Sequence, residues 1–301
     1  MTSPRALSLF LLLVVSLLGL ACTSEPPAAT GPILRWTAIP DSDPQLLKQK
    51  YDPVSAYLSE ALGVPVEYVP VSDYKASVEA FKAGDVQLAW FGGLTGVQAR
   101  RAVTGAHAVA QGKEDPFYES YFIAHVSTGI ERSESFPVGL ARHPFTFGSP
   151  SSTSGRLMPE HFLRQATGKS PSDFFEQGFA FSGAHDLTAR QVQEGGAVKA
   201  GVLNYKTYDR LVAAGEIDPD VARIVWVTPP YADYNFTAHP SLETDFGAGF
   251  TERLQSVLVA LDDPALLDAF ARSALIPAAD EDFADIERTA LELGLIREPI
   301  G

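Results

Sequence analysis

Strands that alternate with helices over short connections place this chain in the α/β class, with a parallel sheet and ligand chemistry expected at the carboxyl ends of its strands. Two observations carry that expectation. Short apolar runs such as Val86 to Phe91 read as buried strands that stop at glycine or a polar residue, and amphipathic helical patterns follow them. The clearest case is Phe145 to Gly155, where Ser151, Ser152, Thr153 and Ser154 follow Gly148 and precede a helix with Leu157, Phe162, Leu163 and Ala166 on its apolar side. Unpaired N–H groups, the positive end of a helix dipole and several hydroxyls at one spot suit a small anion. The competing reading is an ordinary capped loop, with the cap expected at Ser154.

The chain has 301 residues and a formal net charge of −14. Arg5 is the only charge ahead of an apolar run from Ala6 to Leu20, and Ala21 then precedes Cys22, the single cysteine. That layout is an export signal, too short to span a bilayer comfortably. Gly19-Leu20-Ala21-Cys22 resembles a bacterial lipobox, with Gly19 where leucine is usual. Residues 1–21 are therefore expected to be a signal peptide, Cys22 the lipidated residue and 22–32 a Pro/Ala-rich tether at a periplasmic or cell-surface membrane. Removing 21 residues from 301 leaves 280, enough for one large domain or two lobes. So acidic a chain lacks the basic footprint of a nucleic-acid binder, and an anion must be held by local donors against the general field. The six histidines show no ligand spacing, so neither a metal site nor a cofactor is expected.

Taken in order, Ile33 to Ile39 reads as the first strand, with a loop from Pro40 to Pro44 at its end. A helix is expected from an Asp52 cap, with Pro53 in its first turn, to Gly63. Val64 to Val71 is the second strand, and Asp73 caps a helix carrying Tyr74, Val78 and Phe81 that Gly84 ends. Val86 to Phe91 stops at Gly92-Gly93, with Thr95 to Ala102 helical, and Ala106 to Gln111 and Ser120 to Val126 are further strands around a polar loop. Beyond the hydroxyl loop, whose helix Gly168 closes, Phe179 to Gly183 leads to His185 and Asp186 at the start of a helix that runs to about Gly195, and Ala197 to Leu203 leads to Asn204. Ala222 to Thr228 runs into the loop Pro229 to Pro240, and helical patterns over Thr244 to Leu261, Pro264 to Ser273 and Asp280 to Leu293 close the chain. No internal repeat of fixed period is present. Asp41, Asp43, Glu114 and Asp115 read as solvated loop charges, and Trp90 and Phe91 as core or cleft lining.

Five segments in order, Ser72 to Gly93, Phe147 to Gly155, Ser182 to Asp186, Val198 to Asn204 and Thr228 to Asn235, resemble the phosphonate/phosphite/phosphate-type substrate-binding proteins of ABC importers. The likeness spans nearly all of the mature chain, and its wording is most similar to a subgroup described as selenate-binding. It implies the class II periplasmic-binding-protein fold, two α/β lobes joined by a two-strand hinge. The lobes would be 33–122 with 235–301, and 123–234, and Tyr121 to Val126 and Trp226 to Ala238 would be the crossing strands. By the same resemblance, Ser151, Ser152, Thr153 and Ser154 hold the oxyanion from one lobe, Tyr74 with Gly92 and Gly93 closes from the other, and Tyr118, His185, Asp186, Asn204 and Asp233 belong to the site.

The function expected is a monomeric receptor, not an enzyme, that delivers a small tetrahedral oxyanion to membrane permease subunits. A buried oxyanion needs every oxygen hydrogen-bonded, which hydroxyls and N–H groups provide. The alternatives are an extracytoplasmic sensor and a Ser154/His185/Asp186 hydrolase. The hydrolase lacks the G-x-S-x-G elbow, and adjacent His and Asp are poorly placed for a relay. The choice among oxyanions turns on Asp186. If it orients His185, an all-donor site suits selenate or sulfate; if it faces the ligand, a protonated phosphonate or phosphite is expected.

Overall fold

The computed structural model describes residues 31–297. The expected signal peptide, Cys22 and most of the tether lie outside the described residues. The chain begins with β1 (Leu34–Ala38), α1 (Pro44–Leu62), β2 (Val66–Tyr68), α2 (Tyr74–Ala83), β3 (Leu88–Phe91), α3 (Gly93–Ala102) and β4 (His107–Gly112). It continues through β5 (Ser120–His125), β6 (Phe145–Phe147), α4 (Met158–Thr167), α5 (Pro171–Phe174), β7 (Phe179–Phe181), α6 (His185–Glu194), β8 (Ala200–Asn204), α7 (Tyr205–Ala213) and β9 (Ala222–Val227). β10 (Asn235–Ala238), α8 (Ser241–Phe246), α9 (Phe250–Val259), α10 (Pro264–Asp268), β11 (Leu275–Pro277) and α11 (Ala284–Glu292) complete it.

The strands form two sheets, in the orders β11-β4-β10-β3-β1-β2 and β7-β6-β8-β5-β9. Both are mixed rather than parallel. In the first, β10 runs antiparallel between β3 and β4; in the second, β5 runs antiparallel between β8 and β9. Around these inserted strands the two sheets share one pattern, second-first-third-inserted-fourth, with parallel neighbours joined by helices. Apolar aromatic clusters fill both. Trp36 packs against Tyr51 and Tyr68 beneath the first sheet, and Phe122, Phe145 and Phe147 are fully buried in the second.

Several helix ends follow local chemistry. The Asp73 carboxylate accepts from Ala76 N–H at 2.8 Å to start α2, and Gly84, Gly168 and Gly195 end their helices with left-handed backbone. Elsewhere packing overrides the local signals. α1 starts at an Asp43 cap and continues through Pro53, while Asp52 pairs with Lys48 on the exposed face. The expected helix Thr244 to Leu261 is two helices, broken at Gly247 and Gly249, both with positive φ. The expected helix over Pro264 to Ser273 ends early, because the chain turns at Ala271, φ 52°, to enter β11.

The two crossings lie outside the strands expected to make them. β5 pairs with β8 and β9 along its whole length, so the expected boundary between 122 and 123 falls inside the second sheet. The chain passes out through residues 113–119 and back through 228–234. Between these segments Tyr118 N–H donates to the Tyr231 carbonyl at 2.8 Å and Tyr231 N–H to the Tyr118 carbonyl at 3.0 Å.

Candidate functional site

Helix starts from both sheets converge between them. After β6 the chain makes a wide π-type turn, Thr153–Leu157, before α4, and the Ser152 hydroxyl caps it by accepting from Gly155 N–H at 2.9 Å. The cap is thus Ser152, not Ser154. Thr153 and Ser154 open the turn, where no preceding carbonyl serves their N–H groups. Thr153 reaches the other sheet's helices: its Oγ1 accepts from Leu94 N–H of α3 at 2.9 Å. Ser154 is anchored by its carbonyl, which accepts from the Ser120 hydroxyl at 2.7 Å. Ser151 is half-buried ahead of the turn, beside Ser149.

Besides Arg156 Nη1 in the turn itself, whose guanidinium lies over the rings of Phe147, Phe179 and Phe181, the buried polar atoms near this turn without a hydrogen-bond partner among the described residues include Tyr74 Oη, His185 Nε2 and Asp233 Oδ2. Tyr74 is the first residue of α2 and His185 the first of α6, equivalent positions after the second strand of each sheet. The Tyr74 hydroxyl faces the Ser152 side chain, and burial holds it well above the usual tyrosine pKa. His185 Nδ1 accepts from Asn204 N–H at 3.3 Å, which leaves the proton on Nε2 as a donor. Burial lowers the imidazole pKa to about 3, so the ring is neutral at physiological pH. Gly155 permits this approach: a Cβ there would stand 3.1 Å from His185 Cε1 and 3.0 Å from Ser152 Oγ.

Asp233 enters from the returning crossing segment. Its Oδ1 accepts from Gly93 N–H at 2.9 Å, and a Cβ on Gly92 would lie 3.2 Å from both that oxygen and Thr153 Oγ1. Gly92 therefore lets three segments meet. Burial raises the Asp233 pKa to about 7, partly offset by the Gly93 N–H and the Thr153 hydroxyl.

The remaining expected residues do other things. The Asp186 carboxylate accepts from Leu187 N–H at 2.9 Å and neither orients His185 nor joins the unpartnered atoms. Asn204 performs that orientation through its main chain, while its side chain caps α7 by accepting from Thr207 N–H at 2.7 Å. With His185 Nδ1 facing an N–H rather than a carboxylate, the Ser/His/Asp relay is not assembled. Tyr118 forms the crossing bridge and lays its ring under the Arg272 guanidinium, 5.0 Å from the ring centre.

Two charges read from sequence as solvated are structural. Asp41 accepts from the Tyr234 hydroxyl at 2.8 Å, and its carbonyl accepts from His185 N–H at 3.2 Å. Asp115 is fully buried against Arg272. Both gain partners distant in sequence that no local pattern announces.

Two mixed sheets with their helices, between which the chain crosses twice, form the two-lobed class II periplasmic-binding-protein fold. Residues 36–283 match the family described as ABC transporter, phosphonate, periplasmic substrate-binding protein. A probable ABC transporter phosphite binding protein of Prochlorococcus marinus is 36% identical over 293 residues, 95% of this chain and 98% of that one. A phosphate-import protein of Mycolicibacterium smegmatis is 30% identical over 76% of this chain and 74% of its own length. The solved Prochlorococcus marinus structure in complex with methylphosphonate superposes with a TM-score of 0.83 at 37% identity, covering 88% of this chain and 99% of that one. The chain belongs to the phosphonate-type periplasmic substrate-binding proteins of ABC transporters.

Proposed function

We propose that this receptor binds a small tetrahedral phosphorus oxyanion that still carries a proton, of the phosphonate or phosphite kind, and presents it to an ABC permease. One observation carries the proposal: an unpartnered donor, His185 Nε2, and an unpartnered carboxylate oxygen, Asp233 Oδ2, border the same turn. A protonated oxyanion satisfies both, accepting from His185, Tyr74 and the turn's N–H groups while donating its own O–H to Asp233. Selenate and sulfate have no proton to give, so ionised Asp233 repels them. The question that sequence attached to Asp186 belongs to Asp233. The relatives support the same class: the Prochlorococcus marinus protein is named for phosphite and seen with methylphosphonate, and the Mycolicibacterium smegmatis protein is named for phosphate.

Calorimetric titration of methylphosphonate, sulfate and selenate from pH 6 to 9 tests this. Sulfate and selenate bring no proton and need Asp233 protonated, so their affinity falls about tenfold for each unit above pH 7. Methylphosphonate, which brings its own proton, holds its affinity past pH 7. Selenate binding with no loss between pH 7 and 9 would reject the assignment.

The two lobes of this reading divide at the crossing segments, and the contacts of Thr153 with Leu94 and of Asp233 with Gly93 belong to their closed arrangement. Cys22 is the acylation site that tethers the exported protein. No helix among the described residues is long and apolar enough to cross a membrane. Metabolic labelling with palmitate should mark the wild type and leave Cys22→Ala unmarked; label on the variant removes Cys22 from this role.

A further inference from the structure

At the root of both crossing segments lies an ion pair that touches none of the unpartnered atoms. Arg272 grips Asp115 at two points, Nε to Oδ2 at 2.8 Å and Nη2 to Oδ1 at 2.6 Å, with side chains 2% and 0% exposed. Gly112 N–H donates to the same carboxylate at 2.7 Å, and a Cβ at Gly112 would lie 2.4 Å from both Asp115 Oδ2 and Arg272 Cδ. The guanidinium is enclosed by the rings of Trp90, Tyr118 and Tyr234 at 4.8 to 5.6 Å, and donates to the Phe270 carbonyl at 2.6 Å. Ala271, beside it, is the only non-glycine residue with positive φ among the described residues. Such strain persists only where the surroundings enforce it.

A buried ion pair adds little net stability, because desolvation offsets its attraction. What this pair has instead is position. The Asp115 carbonyl accepts from Asp233 N–H at 3.1 Å, so the outgoing segment holds the main chain of the residue whose carboxylate meets Gly93. Its charge is also felt there. Among the titratable groups whose charges reach Asp233 are Tyr74 from α2, Tyr118 and Asp115 from the outgoing segment, and Tyr231 and Tyr234 from the returning one. Burial holds all four tyrosines well above their usual pKa, and His185 is neutral, which leaves Asp115, its carboxyl pushed up by burial and pulled down by the paired Arg272 cation, as the acid among these whose charge Arg272 maintains.

We propose that Asp115 and Arg272 are positioning residues for the ligand: clamped together, they set where the Asp233 carboxylate stands and which charge it feels. The proposal rests on Asp233 being the ligand's proton acceptor. It predicts two separable effects. Arg272→Lys keeps the charge but loses the two-point grip, so affinity falls about tenfold with its pH profile in place. Asp115→Asn removes a negative charge that raises the Asp233 pKa, so the profile moves to lower pH.

The test is methylphosphonate affinity by calorimetry from pH 5 to 9 for wild type and both variants, with thermal melting of each. In wild type the affinity falls on the acid side with a midpoint near 7, as Asp233 becomes protonated. A wild-type profile without that limb removes the Asp233 reading, and this proposal with it. With the limb present, unchanged affinity in Arg272→Lys, or an unmoved midpoint in a folded Asp115→Asn, overturns the positioning role alone. A purely structural pair would lower the melting temperature of both variants and move neither quantity. Should Asp115→Asn not fold, the tenfold loss in Arg272→Lys decides.

Discussion

A carboxylate in a pocket for anions is a liability unless it can hold or receive a proton, and Asp233 meets that condition by burial. Its folded pKa of about 7 stands above the ordinary 3.8. Below pH 4 the carboxyl is neutral in folded and unfolded chains alike and has no effect on stability. Between 4 and 7 the folded state alone keeps the proton, so stability falls as pH rises, and above 7 the cost is constant. Asp233→Asn should therefore melt higher than wild type without ligand at pH 8, with the advantage shrinking to nothing near pH 4, in scanning calorimetry. The same variant should bind methylphosphonate far more weakly, since the amide cannot take the ligand's proton. Asp186 looked the better candidate in sequence only because it adjoins His185. Consecutive residues of a helix point about 100° apart, so neighbours in the chain do not share a target. The partners His185 does have, Asn204 and Asp41, are set by β8 and by the loop after β1.

Among the elements, the turn Thr153–Leu157 separates two jobs that adjacent hydroxyls could have shared. Ser152→Ala removes the cap and should cost about 0.5 to 2 kcal/mol of stability, read by denaturant unfolding. Thr153→Val leaves Leu94 N–H unpaired where the two units meet, a cost of about 1 to 3 kcal/mol that falls on the closed form. Methylphosphonate affinity should drop roughly fivefold to a hundredfold, with the melting temperature of the free protein little changed. Equal affinity in the variant would mean that this contact does not hold the closed state. Local signals of this kind were legible where the element is self-contained: Asp73 before α2, Gly84 after it, Gly168 and Gly195. They misled at Pro53, which reads as a helix start but is carried inside α1, whose buried side holds Tyr51, Val54, Leu58 and Leu62. They were silent on the crossings, where pairing of β5 with β8 and β9 depends on strands about 80 to 100 residues further along.

On the scale of the whole molecule, both sheets repeat one strand order without any repeat in the sequence, because the order constrains burial and connection rather than residue identity. Legibility of the candidate site follows from that arrangement. Its helix-start contributors, Tyr74, Gly92, Ser152, Thr153 and His185, announce themselves after apolar strands, whereas Asp115 and Arg272 meet only once the chain has returned. The inserted strands also impose an order of events on synthesis. Residues 120–227 supply every strand of the second sheet in one continuous stretch, so that unit can complete as it emerges. The first sheet cannot, since β10 fills the gap between β3 and β4 and is made only at Asn235–Ala238. Until then β3 and β4 each expose an unpaired edge, the kind of surface that recruits foreign strands. A chain stopped at residue 234 should protect 120–227 from protease while β1 to β4 are digested, and extension through β11 and α11 should restore protection to both. An exported protein built this way depends on its last quarter to close what its first quarter began.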